Sequence, residues 1–378
     1  MDTPPTRSAD RLAALDGLRG VAAVVVMLSH VVLAGVAVLG TATALDAPVS
    51  GGWRVVAASP LAIVWAGPEL VTVFFVLSAF VLTRAALRGR WRVAPYYVAR
   101  LIRLYVPVWA AVAVATALAL LLARPTTVSA GNLWLEQFGV AVDAGDVVGS
   151  LTLAPRAPAV AIDGALWSLH WEVLFSLALP AVVLVAPALA RRWWLVLAGA
   201  VIVVGAASRP GAATFLAPFA IGVVIALREH DLTAAAGRRG TALLAPAAIV
   251  LLTADRWVPG ATHDAGRGGA LVLVGAALAV LAPLLDPRTA ALLNRRVPQW
   301  LGCRSYSLYL IHEPIVIALA FALHGPSFWV LLPLATSASL LAAALLHRAV
   351  ERPAQTLARA AGAKVAARGR TPLAPQPA

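Results

Sequence analysis

Apolar residues gather along this chain in ten runs, most of them near the 20 or so residues needed to cross a lipid bilayer. They lie at 17–39, 65–87, 104–123, 165–188, 193–207, 212–227, 241–255, 268–285, 305–324 and 327–347. The fifth and seventh are short, and Pro246 interrupts the seventh. The pattern predicts an all-α polytopic membrane protein with about ten transmembrane helices.

The polar positions between the runs set the orientation. With the N-terminus inside and ten crossings, 24 of the 30 Lys and Arg fall on the inner side. Only Arg54, Arg124, Arg156, Arg209, Arg256 and Arg267 fall outside. Every inner segment carries at least two positive charges and no outer segment more than two, as the positive-inside bias requires. Both termini are therefore expected in the cytoplasm. The longest outer segment, about 124–164, holds Glu136, Asp143, Asp146 and Asp163; loops of this length often carry function. Residues 1–353 read as one transmembrane domain. Residues 354–378, rich in Ala, Arg and Pro, are expected to form a disordered basic cytoplasmic tail.

Composition agrees with the pattern: 61% of residues are apolar, 12% are charged, and mean hydropathy is +0.85. A soluble domain averages nearer 45–50% apolar and about 25% charged. The net charge of +13 lies in short loops and not on one face, which argues for membrane topology and against a nucleic-acid partner. A single cysteine, Cys303, excludes an internal disulfide and a thiolate zinc cluster. No metal is expected. The first residues lack the apolar core and cleavage site of a signal peptide.

Candidate chemistry lies where ionisable residues interrupt apolar runs, since such groups are costly in lipid and face the protein interior. His30 stands eleven residues after Arg19, roughly 16 Å along a helix and within about 20° of the same face. Asp16 precedes Arg19 by one turn. A packed histidine bonded to a neighbouring helix is the competing reading; the shared face with Arg19 and Asp16 favours chemistry. Neutral imidazole accepts a proton or attacks a carbonyl.

Four more segments follow. FFVLSAFVLTR sets Ser78 inside the second run and Arg84 at its inner end. Arg100 and Arg103, spaced i,i+3, suit a forked grip on phosphate. DGALWSLHWEVLFSL places Glu172 a few residues into the fourth run from outside, beside His170. SYSLYLIHEPI carries His312 and Glu313 into the ninth run.

Taken in order, these segments resemble the membrane acyltransferase family 3, the O-acetylating enzymes of surface polysaccharides and some antibiotics. RLAALDGLRGVAA is similar to its opening signature, and Arg19-x10-His30 to its arginine–histidine spacing. FFVLSAF resembles FFxLSGF, ARLIRLYVP resembles RxxR, LWSLHWE resembles WSLxxE, and SYSLYLIHEP resembles SYSxYLxHxP. The likeness covers roughly residues 11–353. Ala79, Thr72, His170 and Val173 depart from the pattern.

The resemblance implies a cytoplasmic acyl-CoA co-substrate, most commonly acetyl-CoA, with no permanently bound cofactor. It implies an acceptor hydroxyl on a carbohydrate or glycosylated small molecule. On that reading Arg19, Arg100 and Arg103 bind the donor, His30 acts as base or acylated nucleophile, and Glu172 orients His30 or the acceptor. Asp16, Ser78, Arg84 and His312 support them. Cys303 is expected in an inner loop away from the polar cluster. The cell membrane is the expected location, and nothing in the sequence sets an oligomeric state. A secondary transporter or lipid-linked sugar flippase is the alternative; it calls for two related halves with broken helices, which the sequence lacks.

Overall fold

The computed structural model describes residues 7–36, 52–89, 91–129, 131–154, 162–207, 211–236, 240–257 and 265–368. Among these residues the regular elements are all helical. The main ones are α1 (Arg7–Gly35), α2 (Gly67–Arg88), α3 (Val93–Leu121), α4 (Leu133–Glu136) and α5 (Ala144–Thr152). There follow α6 (Leu166–Arg191), α7 (Trp193–Gly205), α8 (Ala212–Ala235), α9 (Leu244–Leu252) and α10 (Ala265–Leu285). The chain continues through α11 (Pro287–Leu293), α12 (Arg296–Ala322) and α13 (Phe328–Leu346), a π-helical turn at His347–Glu351, and α14 (Arg352–Arg368).

Seven helices are long and apolar enough to cross a membrane, or eight if α10 and α11, bent by 92° at Asp286, are taken as one span. The difference from ten lies in the two short runs. α7 has 13 residues, about 20 Å of helix against a hydrocarbon core of about 30 Å. α9 has nine, Leu244–Leu252, about 14 Å of helix. Large apolar side chains such as Leu121, Leu184 and Trp329 stand exposed on the outer helix faces. Such a surface suits lipid.

α1 and α12 form the centre. They run parallel in a constant register: Gly20 abuts Gly302 and His30 meets His312, each pair 282 positions apart. Glycine is needed at this crossing, since a methyl group on Gly20 or Gly302 would collide with the facing backbone. Small residues at a helix crossing let two backbones approach this closely inside a membrane. The same device seats α8 on α2, where Gly222 lies against the Val76 carbonyl and Ala79.

The tail departs from expectation. Residues 352–368 are helical, not disordered, and α14 packs along α3. Ala354, Ala358 and Gly362 are buried at four-residue spacing, Gly362 rests against Pro95 and Ala99, and Arg92 Nη1 donates to the Ala366 carbonyl at 2.8 Å. Four-residue spacing aligns these positions on one face. Residues 369–378 lie outside the described part, as do Arg90, Arg156, Arg209, Arg238, Arg239 and Arg370 of the charge count.

Candidate functional site

A cavity of about 340 Å³ opens among α1, α2, α3, α6, α12 and the start of α14. Arg19, Arg100, Arg103 and Arg352 line it, against the carboxyls of Asp16, Glu172 and Glu351. The three arginines expected to bind a donor are thus brought together from two helices. Arg19 Nη1 lies 3.7 Å from Asp16 Oδ1. Higher up, the walls are apolar, with Val71, Phe74, Phe75 and Leu104, and the top is formed by Ser168 and Tyr309. From Gly302 to Tyr309 is seven residues of α12, about 10 Å of depth.

Glu172 is not beside His30. Arg100 Nη2 donates to Glu172 Oε1 at 2.6 Å, Ser78 Oγ donates to the same oxygen at 2.9 Å, and Arg100 Nε donates to Ser176 Oγ at 3.1 Å. The reason is where α6 begins. Tyr97 and Tyr96 of α3 donate to the carbonyls of Leu177 and Ser176, and farther along Tyr105 and Trp109 donate to those of Thr152 and Leu151. α5 therefore lies against the middle of α3, and α6 starts deep within the protein. Its Glu172 comes level with Arg100, near the start of α3.

Arg84 stands apart from the cavity. With Arg88 it holds Glu229 of α8, at 2.8 and 3.0 Å. Cys303 is not in a loop. It lies on α12, exposed, and lines the cavity.

His30 sits one helical turn above the cavity's top. His312, fully buried, donates from Nδ1 to the Leu308 carbonyl at 2.9 Å. Its Nε2 is then an acceptor, and lies 2.8 Å from His30 Nδ1. The hydrogen of neutral His30 is accordingly on Nδ1, which leaves the Nε2 lone pair free. That nitrogen faces Glu313 Oε1 at 3.9 Å. Trp134, from α4 in the long loop, stacks over the imidazole with ring centres 5.5 Å apart. Asn132 seats that loop by capping α4 and donating to the Leu33 carbonyl at the end of α1. The His30 side chain keeps 17% of its surface accessible.

A short network joins the cavity to the histidines. Tyr309 and Ser168 share a hydrogen bond of 2.6 Å, and Tyr309 donates to the Ala165 carbonyl at 3.1 Å. Ala165 N–H donates to Glu313 Oε2. Tyr309 also packs on His312, with ring centres 5.9 Å apart.

Sequence reasoning missed three partners. Glu313 was seen, but not as the carboxyl next to His30. Asp163 was read only as a loop acid. Glu351 was passed over, although HRAVE ends the last apolar run with charge. It accepts from Ser307 Oγ at 2.6 Å, His347 Nδ1 at 2.9 Å and Gln355 Nε2 at 3.0 Å. These contacts fix the π-helical turn beside the cavity mouth; such turns recur at functional sites.

The family described as an acyltransferase domain matches residues 12–348. No curated protein and no solved structure matches the chain.

Proposed function

The chain belongs to the membrane acyltransferase family 3, and from that premise we propose that it moves an acyl group, acetyl before others, from cytoplasmic acyl-CoA to a hydroxyl of a sugar-containing acceptor. Ten crossings of the cytoplasmic membrane, with α7 and α9 counted and both termini inside, complete the reading. The parallel course of α1 and α12 fits this count and an eight-crossing one alike, since either makes α12 an odd-numbered crossing.

One observation carries the proposal: an arginine-lined cavity ends one helical turn below a paired histidine whose Nε2 is free. Phosphates of the donor would pair with Arg19, Arg103 and Arg352, Arg guanidinium being suited to forked phosphate contact. Arg100 is held by Glu172 and meets the donor as a fixed pair with it. The pantetheine arm would follow the apolar wall upward. The Tyr309–Ser168 hydrogen bond stands between the thioester and His30, so it parts when the donor is fully seated.

At His30 two routes fit. As a base, Nε2 takes the acceptor's hydroxyl proton while that oxygen attacks the thioester carbonyl. The C–O bond forms, the C–S bond breaks, and the departing thiolate receives the proton back from Nε2. As a nucleophile, Nε2 takes the acyl group first as the C–S bond breaks and thiolate leaves; the acceptor hydroxyl oxygen then takes the acyl group as the C–N bond breaks, and its proton passes through the freed Nε2 to the thiolate. Glu172 serves the donor end on either route.

Membranes carrying the wild type or His30→Ala, supplied with radiolabelled acetyl-CoA, test this. The variant should place no label in the glycan or lipid fraction. Full labelling at normal expression would remove His30 from the reaction.

A further inference from the structure

The turn that precedes α6 carries a second carboxyl against Glu313. Asp163 is 1% exposed and Glu313 2%, and the two carboxyls meet at one donor, the Ala165 N–H, through Oδ1 and Oε2. Asp163 Oδ1 accepts from Ala165 N–H at 3.1 Å, while its Oδ2 is buried with no N–H or O–H donor in reach. Gly164 lies directly over the Glu313 carboxyl, and a side chain there would strike both its oxygens. Two carboxylates this close and this dry cannot both be charged, so a proton shared between them is required. The charge that remains is met by Ala165 N–H at the N-terminus of α6, where the helix dipole favours an anion.

We propose that Asp163 and Glu313 form a one-proton, one-charge pair that positions His30 and balances the positive charge its Nε2 gains during transfer. The inference rests on His30 as the reacting group. Glu313 stands 3.9 Å from Nε2, a distance for attraction between charges more than for a hydrogen bond. Its effect therefore appears when the imidazole is protonated, in the transition state, and not in donor binding. Both carboxyls act through His30 and are positioning residues. The other titratable groups facing the pair are Tyr309 and His312 of α12; Arg100 and Glu172 lie farther down the cavity.

The test uses full-length protein in membranes, with radiolabelled acetyl-CoA over a range of pH. Glu313→Gln keeps the shape but removes the charge. It should lower kcat about 100-fold, with KM for acetyl-CoA within twofold and thermal stability in detergent unchanged. Asp163→Asn leaves the charge on Glu313 and deletes one ionisation. Its loss in kcat should stay under tenfold, and its pH–rate profile should show one titration fewer than wild type. Where Glu313→Gln does not accumulate, this profile decides, and superposition on the wild-type curve overturns the pair. So does a Glu313→Gln enzyme within threefold of wild type while His30→Ala is inactive. An active His30→Ala would instead bring down the reading of His30 on which the pair depends.

Discussion

Gly20 of α1 and Gly302 of α12 touch through their backbones, and ten residues farther along both helices His30 meets His312. The contact sets the register of the two histidines. Gly20→Ala should therefore do more than strain the packing. A forced shift of α12 costs about 1–3 kcal/mol, read as a lower unfolding temperature in detergent, and it also moves His312 away from His30. Acyl transfer should fall further than stability alone explains. Equal activity in the folded fraction of the variant would show that the register is not set here.

His312 fixes the tautomer of its partner. His312→Leu removes the acceptor for His30 Nδ1–H and frees the ring to turn. The expected result is a loss in kcat of about 100-fold with KM for acetyl-CoA unchanged. A rise in KM with kcat intact would place His312 in donor binding instead.

Arginines that line one cavity should respond differently to removal. Arg100 and Glu172 are largely buried, with 12% and 22% of their side chains accessible. Arg100→Ala strands Glu172 and should cost about 3 kcal/mol of stability. Arg100→Ala with Glu172→Ala should recover much of that loss without restoring the donor site. Arg19, paired loosely with an exposed Asp16, contributes little to the fold. Arg19→Ala should leave the unfolding temperature alone and raise KM for acetyl-CoA. If both single variants destabilise equally, the distinction between the two arginines fails.

At another corner of the protein, Asp255 lies in the Ala254–Arg256 turn after α9. Burial, and then the charge of Glu69, push its carboxyl up to about 6, against the pull of Arg256. The unfolded carboxyl titrates near 3.9. A group raised on folding keeps its proton in the folded state after the unfolded chain has lost it. Stability therefore declines as pH rises through that interval and levels off above it. Asp255→Asn should remove this contribution, so unfolding temperatures of the two proteins should diverge between about pH 4 and pH 6 and run parallel beyond. Curves parallel throughout would contradict the assignment.

What could be read beforehand was whatever depends on neighbours along the chain. Seven of the ten apolar runs became helices long enough to span, because length and hydropathy are local properties; the α10–α11 region makes an eighth only if its bend is crossed. Arg19 and His30 were placed correctly because one helix carries both. Glu172 went astray because its depth is set by how far α5 folds inward against α3, which no property of LWSLHWE encodes. The Asp163–Glu313 contact joins positions 150 apart, across two elements. Residues 354–368 of the tail were the avoidable error. Its Ala and Arg suggested disorder, yet Ala354, Ala358 and Gly362 already marked a face small enough to pack.

The 282 positions that separate His30 from His312 also bear on how the protein is made. α1 enters the membrane long before α12 is made and waits for its partner until α12 has left the ribosome. Contacts of such long range close late and slowly. A chain cut short before α12 holds an imidazole without the acceptor for its Nδ1–H, so competence for chemistry arrives only once α12 is made.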